Sequence, residues 1–134
     1  MYIVHALLLL GTGPASAHPG VFSSTGLHFQ QDVQLPVVST SWGFLKPRAD
    51  GWSWLCPEAL GQLGELSMDI DQEGRWWIGG LGGIWMTEDQ CSFREIGLSD
   101  HYVTSLDIDA TGIWATTATG DLPNSLWLST DGGE

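Results

Sequence analysis

Two stretches decide how this chain is read: "MDIDQEGRWWIGG" at Met68–Gly80 and "LDIDATGIWATTA" at Leu106–Ala118. Asp69, Ile70, Asp71, Gly74 and Trp76 recur as Asp107, Ile108, Asp109, Gly112 and Trp114, each 38 residues further on. Self-similarity at a fixed period marks a repeat architecture and takes precedence over local assignments. The match runs on: "GIWMTED" ends at Asp89 and "SLWLSTD" at Asp131, 42 residues later, which predicts a longer hairpin loop at "GDLPN" (Gly120–Asn124) than at "GLGG" (Gly80–Gly83). Upstream, "WGFLKPRADGWSWLC" is a weaker copy of "GGIWMTEDQCSFREI", with Gly43 at the place of Gly83 and Trp54 at that of Phe93.

Each unit reads as four short strands with Gly, Asp and Gln in the turns between them. The middle unit predicts strands at Leu66–Asp71, Trp76–Gly79, Gly83–Thr87 and Ser92–Ile96. The last predicts Val103–Ile108, Ile113–Thr117 and Ser125–Ser129, and the first Leu27–Gln30, Gln34–Thr40, Trp42–Lys46 and Ser53–Cys56. The best short helix candidate is "PEALGQLG", from Pro57. Four-stranded units at a period of roughly 40–50 residues are blades of a β-propeller, and natural propellers hold about 4–8 of them. The expected fold is therefore all-β, a partial β-propeller of antiparallel blades at about 26–56, 65–96 and 103–134. With two full blades and most of a third, the chain is expected to be the N-terminal portion of a larger ring.

The chain has 134 residues, 43% of them hydrophobic, with eight Trp and a net charge of −12 from 16 acidic and 4 basic residues. The hydrophobic share is enough for a packed core. Lys46, Arg48, Arg75 and Arg94 form no basic patch, so nucleic acid and anionic membrane surfaces are disfavoured partners. The opening "MYIVHALLLLGTGPASAHPG" reads as a secretory signal. Its apolar run is too short to span a bilayer, and Ala15-Ser16-Ala17 offers a small-x-small cleavage site, so residues 1–17 would be removed. This points to a secreted or periplasmic protein with no membrane insertion after cleavage. In that oxidising setting Cys56 and Cys91, on the outer parts of adjacent units, are a possible disulfide.

The turn after the third strand recurs as Ser129-x-Asp131-x-Gly133 in the last unit and as Thr87-x-Asp89, followed by Phe93, in the middle one. In the first it has decayed to Pro47-Arg48-Ala49-Asp50-Gly51, followed by Trp52 and Trp54. Asp caps the backbone N–H groups of its own turn, a preceding hydroxyl adds a weaker bond, and Gly supplies positive φ. The pattern resembles the Asp-box (BNR) repeat, Ser-x-Asp-x-Gly-x-x-aromatic. That family folds as β-propellers and includes sialidases, sortilin-like receptors, photosystem-assembly factors and many secreted bacterial proteins. The turn "DQEGRWW" is also similar to propeller repeats in the sensor regions of two-component regulators. The resemblance covers roughly Gly26 to Glu134 and bears on fold, because an Asp-box is a structural turn and function resides in sites placed on a fold.

No catalytic residues are assigned. A sialidase would require three arginines on the substrate carboxylate, a Tyr–Glu nucleophile and an acid/base Asp. Arg48 and Arg94 instead lie beside the turns, and Tyr102 is the only Tyr outside the signal. "DIDQEG" (Asp69, Asp71, Glu73) resembles the start of a calcium loop, but Gly80 and Ala118 stand where a closing carboxylate is needed, which favours a plain turn. "GGLGG" lacks the Lys-Ser/Thr of a phosphate loop and reads as a hairpin turn. His28 and His101 look isolated. Trp76, Trp85, Trp114 and Trp127 recur at the repeat period and are expected to pack between blades. The expected function is binding or scaffolding without cofactor, with an unknown protein or glycan ligand and open blade edges able to self-associate. A sensor propeller of a two-component-type regulator and a fragment of a sialidase-like hydrolase are the alternatives.

Overall fold

The structure, a computed structural model, describes residues 23–30, 33–56, 60 and 65–133. The signal segment, and the helix candidate apart from Leu60, lie outside the described residues. Eleven strands and no α-helix are present among the described residues. The first sheet contains β1 (Ser24–His28), β2 (Val37–Thr40), β3 (Gly43–Arg48) and β4 (Gly51–Leu55). The second contains β5 (Ser67–Ile70), β6 (Trp76–Gly80), β7 (Gly83–Thr87) and β8 (Arg94–Gly97). The third contains β9 (Tyr102–Asp109), β10 (Gly112–Thr119) and β11 (Leu122–Ser129). In every sheet the strands lie side by side in chain order, all pairs antiparallel. Short turns favour this meander, because antiparallel neighbours need only a tight hairpin.

The second sheet is covered on both faces. Trp76 and Ile78 of β6 join Met68 in a core with Val37 and Phe44 of the first sheet and with Leu60. Trp77, between them in sequence, points the other way and joins Ile84 and Met86 in a core with Val103, Leu106, Ile113 and Ala115 of the third sheet. Alternate side chains of a strand lie on opposite faces, so a strand sandwiched between two sheets becomes apolar throughout. All five residues of β6 are accordingly buried. Gly79 belongs to this packing: a Cβ there would collide with the Val103 and Ser67 side chains.

The structure shifts the repeat by one residue. Ile70 pairs with Trp76 in the second sheet, whereas the equivalent Ile108 pairs with Ile113 in the third. The turn after Asp109 is one residue shorter than the turn after Asp71. Trp114 is therefore the partner of Asp107 as Trp77 is of Asp69, and its counterpart is Trp77 rather than Trp76. A one-residue slip exchanges the faces of a strand, so Trp114 points away from the second sheet.

Other boundaries move for local reasons. The segment "GDLPN" is no long loop: β10 ends at Thr119 and β11 begins at Leu122, opposite it, with a bulge in the ladder. Pro123 fits because β11 is an edge strand. Pro47 of β3 lies beyond the last β2–β3 pair, Val38–Leu45, so its missing N–H interrupts no ladder with β2. The strand β8 starts at Arg94, because Asp89 holds the Cys91 and Ser92 N–H groups in the preceding turn. Cys56 is half-buried at the end of the first sheet, and Cys91 is exposed in that turn. The two are not bonded to each other in this structure. Among the described residues no helix is long and apolar enough to cross a membrane.

Candidate functional site

The residues of the recurring Ser/Thr-x-Asp pattern lie in turns that follow the third strands of the second and third sheets. Asp89 Oδ1 accepts the N–H groups of Cys91 (2.9 Å) and Ser92 (2.7 Å) and the Thr87 hydroxyl (3.0 Å). Thr87 Oγ1 in turn accepts the Gln90 N–H at 2.8 Å. Two backbone donors, from Ser92 and Cys91, hold the Asp89 carboxyl far below the usual carboxylate range. Phe93, the aromatic of the motif, packs on the core between the first and second sheets. In the last unit Ser129 donates to Asp131 (2.7 Å) and accepts from the Gly133 N–H (2.8 Å). Gly133 has a φ of 93°, and a Cβ there would strike Ile96 of β8, so Gly lets this turn seat on the neighbouring sheet. Thr87, Asp89, Phe93, Ser129, Asp131 and Gly133 thus brace turns rather than converge on one site.

The three carboxylates weighed as calcium ligands have protein partners. Asp71 Oδ1 accepts the Arg75 N–H at 2.9 Å, while Oδ2 accepts Arg75 Nε at 2.6 Å and Trp77 Nε1 at 2.8 Å. Burial pushes the Asp71 carboxyl up, but the bonds from Trp77 and Arg75 outweigh it and leave the pKa lowered. Glu73 pairs with Arg75 Nη2 at 3.0 Å. Asp69 accepts the Ile70 N–H at 2.8 Å with one oxygen and, across the sheets, the Ile108 N–H at 2.7 Å with the other. The "GGLGG" run is a hairpin turn in which the Gly82 and Gly83 N–H groups bond the His101 carbonyl. Among the described residues no group of three or more His, Cys, Asp or Glu is placed to hold a metal ion.

A different place gathers polar side chains. The first strands of the three sheets, β1, β5 and β9, each leave one edge unpaired within their sheet. A cleft of about 530 Å³ lies between them. Its walls carry hydroxyls from all three sheets, among them Thr25, Ser39, Ser67 and Thr104, together with His28 and Tyr102. His28 Nε2 lies 2.7 Å from the Ser39 hydroxyl. Burial lowers the His28 pKa against the opposing pull of the Asp69 charge. Tyr102 donates to the main-chain carbonyl of Glu65 at 3.3 Å. Lys46, Arg48, Arg75 and Arg94 do not line the cleft. The arrangement offers hydroxyl and imidazole hydrogen bonds and an aromatic wall to a polar ligand. Reading by sequence missed it, because His28, Ser39, Ser67 and Thr104 follow no motif and are far apart in the chain. The available signal was the Ser and Thr content of the first strand of each unit.

The tryptophans divide by location. Trp76 and Trp77 are buried between sheets, Trp85 and Trp114 are half-buried, and Trp52, Trp54 and Trp127 are exposed. Trp127 bonds Thr117 through Nε1 at 3.0 Å and meets the His101 ring edge-on at 5.3 Å.

Compared with models of protein families, with curated proteins and with solved structures, the chain matches none.

Proposed function

We propose that this chain is a secreted, non-catalytic binding or scaffold protein, built as β-propeller blades of Asp-box-like repeats, whose ligand enters the cleft between the first strands of its sheets. The observation that carries the reading is that cleft, where three sheets contribute hydroxyl groups around His28 and Tyr102 and where no arginine is present among the described lining residues. Concave sites with a few convergent polar groups are the usual places for small ligands. The stacking of successive antiparallel meanders and the braced Thr87–Asp89 and Ser129–Asp131 turns support the propeller. The hydroxyls outnumber the single lining carboxylate residue, Glu65, and this favours a glycan over an acidic peptide, since sugars are bound by such donors and acceptors beside an aromatic ring.

The test is an immobilised glycan panel probed with the purified chain and with Thr104→Trp, which fills the cleft from an exposed position. Binding by the parent chain and its loss in the variant are expected, and equal binding by both would place the ligand elsewhere. A fluorogenic sialoside incubated with the same protein is expected to stay intact. Turnover that Tyr102→Phe abolishes would replace this reading with the hydrolase.

A further inference from the structure

The face of the first sheet that meets the second carries a cation. Phe44 and Lys46 stand two apart on β3 and so share one face. Phe44 packs into the core between the two sheets, and Lys46 reaches over the Trp76 ring of β6, with Nζ 5.8 Å from its centroid. Lys46 is half-buried and makes no ion pair among the described residues. Trp76 is 1% exposed, and its buried Nε1–H finds no acceptor among them either. A buried donor without a partner is rare in a folded chain and calls for an explanation.

Both residues border a cavity of about 210 Å³ between the first and second sheets. Two side-chain amides join them in its wall, those of Gln30 and Gln90. Gln90 is fixed by the turn after β7, where its N–H bonds Thr87 Oγ1 at 2.8 Å and its φ is 59°. Gln30, beyond β1, lies against Gly74, so closely that a Cβ there would collide with its amide. Val33 and Leu35, 41% and 51% exposed, add apolar surface to the wall. None of the described lining residues is acidic, although the chain holds 16 Asp and Glu against 4 Lys and Arg. The cavity thus combines an ammonium group, an indole donor and two amides with apolar side chains.

We propose that this cavity binds a small organic acid, a monocarboxylate with an aliphatic body. Its carboxylate oxygens accept from Lys46 Nζ and Trp76 Nε1, and its chain lies along Val33 and Leu35. Hydrogen bonds to ionised groups are the strong ones, and an ammonium with no competing carboxylate is free to make them. The carboxylate also supplies the acceptor that the Trp76 indole lacks, which a purely apolar guest would not. The volume lies below the range of roughly 300–1,000 Å³ typical of pockets for drug-sized ligands, so the acid is one of a few carbons. His28 stands in the walls of both this cavity and the cleft between β1, β5 and β9, but the proposal does not rest on what the cleft binds.

The experiment is a titration of the isotope-labelled full chain with straight-chain carboxylates from acetate to octanoate, read at the indole N–H resonances by NMR. The Trp76 resonance is identified by its absence in Trp76→Phe or, if that variant does not fold, by sequential assignment. A saturable shift of that resonance by at least one of the acids is expected. No shift with any of them overturns the site and leaves the Trp76 N–H to an ordered water. Hexan-1-ol is expected to leave the resonance in place, and an equal shift would mean that the cavity takes apolar matter alone. Lys46→Met keeps an apolar stem over Trp76 and removes the charge. It is expected to weaken binding about tenfold or more, the scale of a charged hydrogen bond. Leu35→Glu changes an exposed side chain and is expected to weaken binding by repulsion, with an unaltered circular dichroism spectrum as the check on folding. Parent-like affinity in both variants overturns the proposal. Thr104→Trp, in the cleft, is expected to bind the acid as the parent does, and a lost shift would place the acid in the cleft instead. Glycan capture is read separately on the panel, so failure of one proposal leaves the other to be judged alone.

Discussion

Asp71 is a buried carboxylate that gathers a backbone N–H, an arginine and a tryptophan indole in one turn. Its removal leaves the Trp77 Nε1–H without an acceptor inside the core. Asp71→Ala is therefore expected to destabilise the fold by about 1–3 kcal/mol, the cost of a buried donor left unsatisfied, as measured by urea denaturation. The pKa of Asp71 is lower in the folded chain than in the unfolded one, where it sits near the ordinary value of about 3.9. Its contribution is thus fully present above that value and is lost as pH falls through the folded pKa. Between about pH 5 and pH 2 the Asp71→Ala variant should lose less stability than the parent chain, a difference that acid titration of the urea midpoint would reveal. The acidic, Gly-containing pattern around Asp71 was legible in the sequence. Its choice of Trp77 as partner was not, because Trp76 and Trp77 are neighbours and only the register distinguishes them.

Among elements, the β6 strand is constrained from both sides. Gly79→Ala forces a methyl against Val103 and Ser67, and is expected to cost about 1–3 kcal/mol through overpacking, again read by denaturation. The turn between β7 and β8 is held differently, by hydrogen bonds at an exposed position. In Asp89→Ala the amides of Cys91 and Ser92 lose their acceptor, so their hydrogen exchange should quicken, while Glu88→Ala leaves them unchanged. The repeat period, the hairpin glycines and the Ser/Thr-x-Asp turns were all readable, since each is a local preference of the backbone. The "GDLPN" segment misled because Pro and Asn look like a loop, while an edge strand accepts both at a bulge.

At the scale of the molecule, stability comes from two cores that share the second sheet. Trp77→Ala opens the core between the second and third sheets and is expected to cost about 3–5 kcal/mol. Trp114→Ala, at the equivalent and only half-buried position on the outer face of the third sheet, should cost about 1 kcal/mol or less. Equal losses would mean that the outer face of the third sheet already has a partner within the chain. The contrast also bears on function: the cleft is made by β1, β5 and β9 together, so variants that disturb sheet stacking should weaken glycan capture without touching its lining.

The sequence by itself determined the all-β class, the roughly forty-residue unit and the chemistry of its turns, because strand alternation and turn capping act over a few residues. Only the tertiary structure decided which face each strand presents, which tryptophans are covered, and that distant Ser, Thr and His side chains line one cleft. The physical reason is the two-residue period of a strand. A turn shortened by one residue leaves the repeat visible in the sequence, yet turns Trp114 from a counterpart of Trp76 into a counterpart of Trp77.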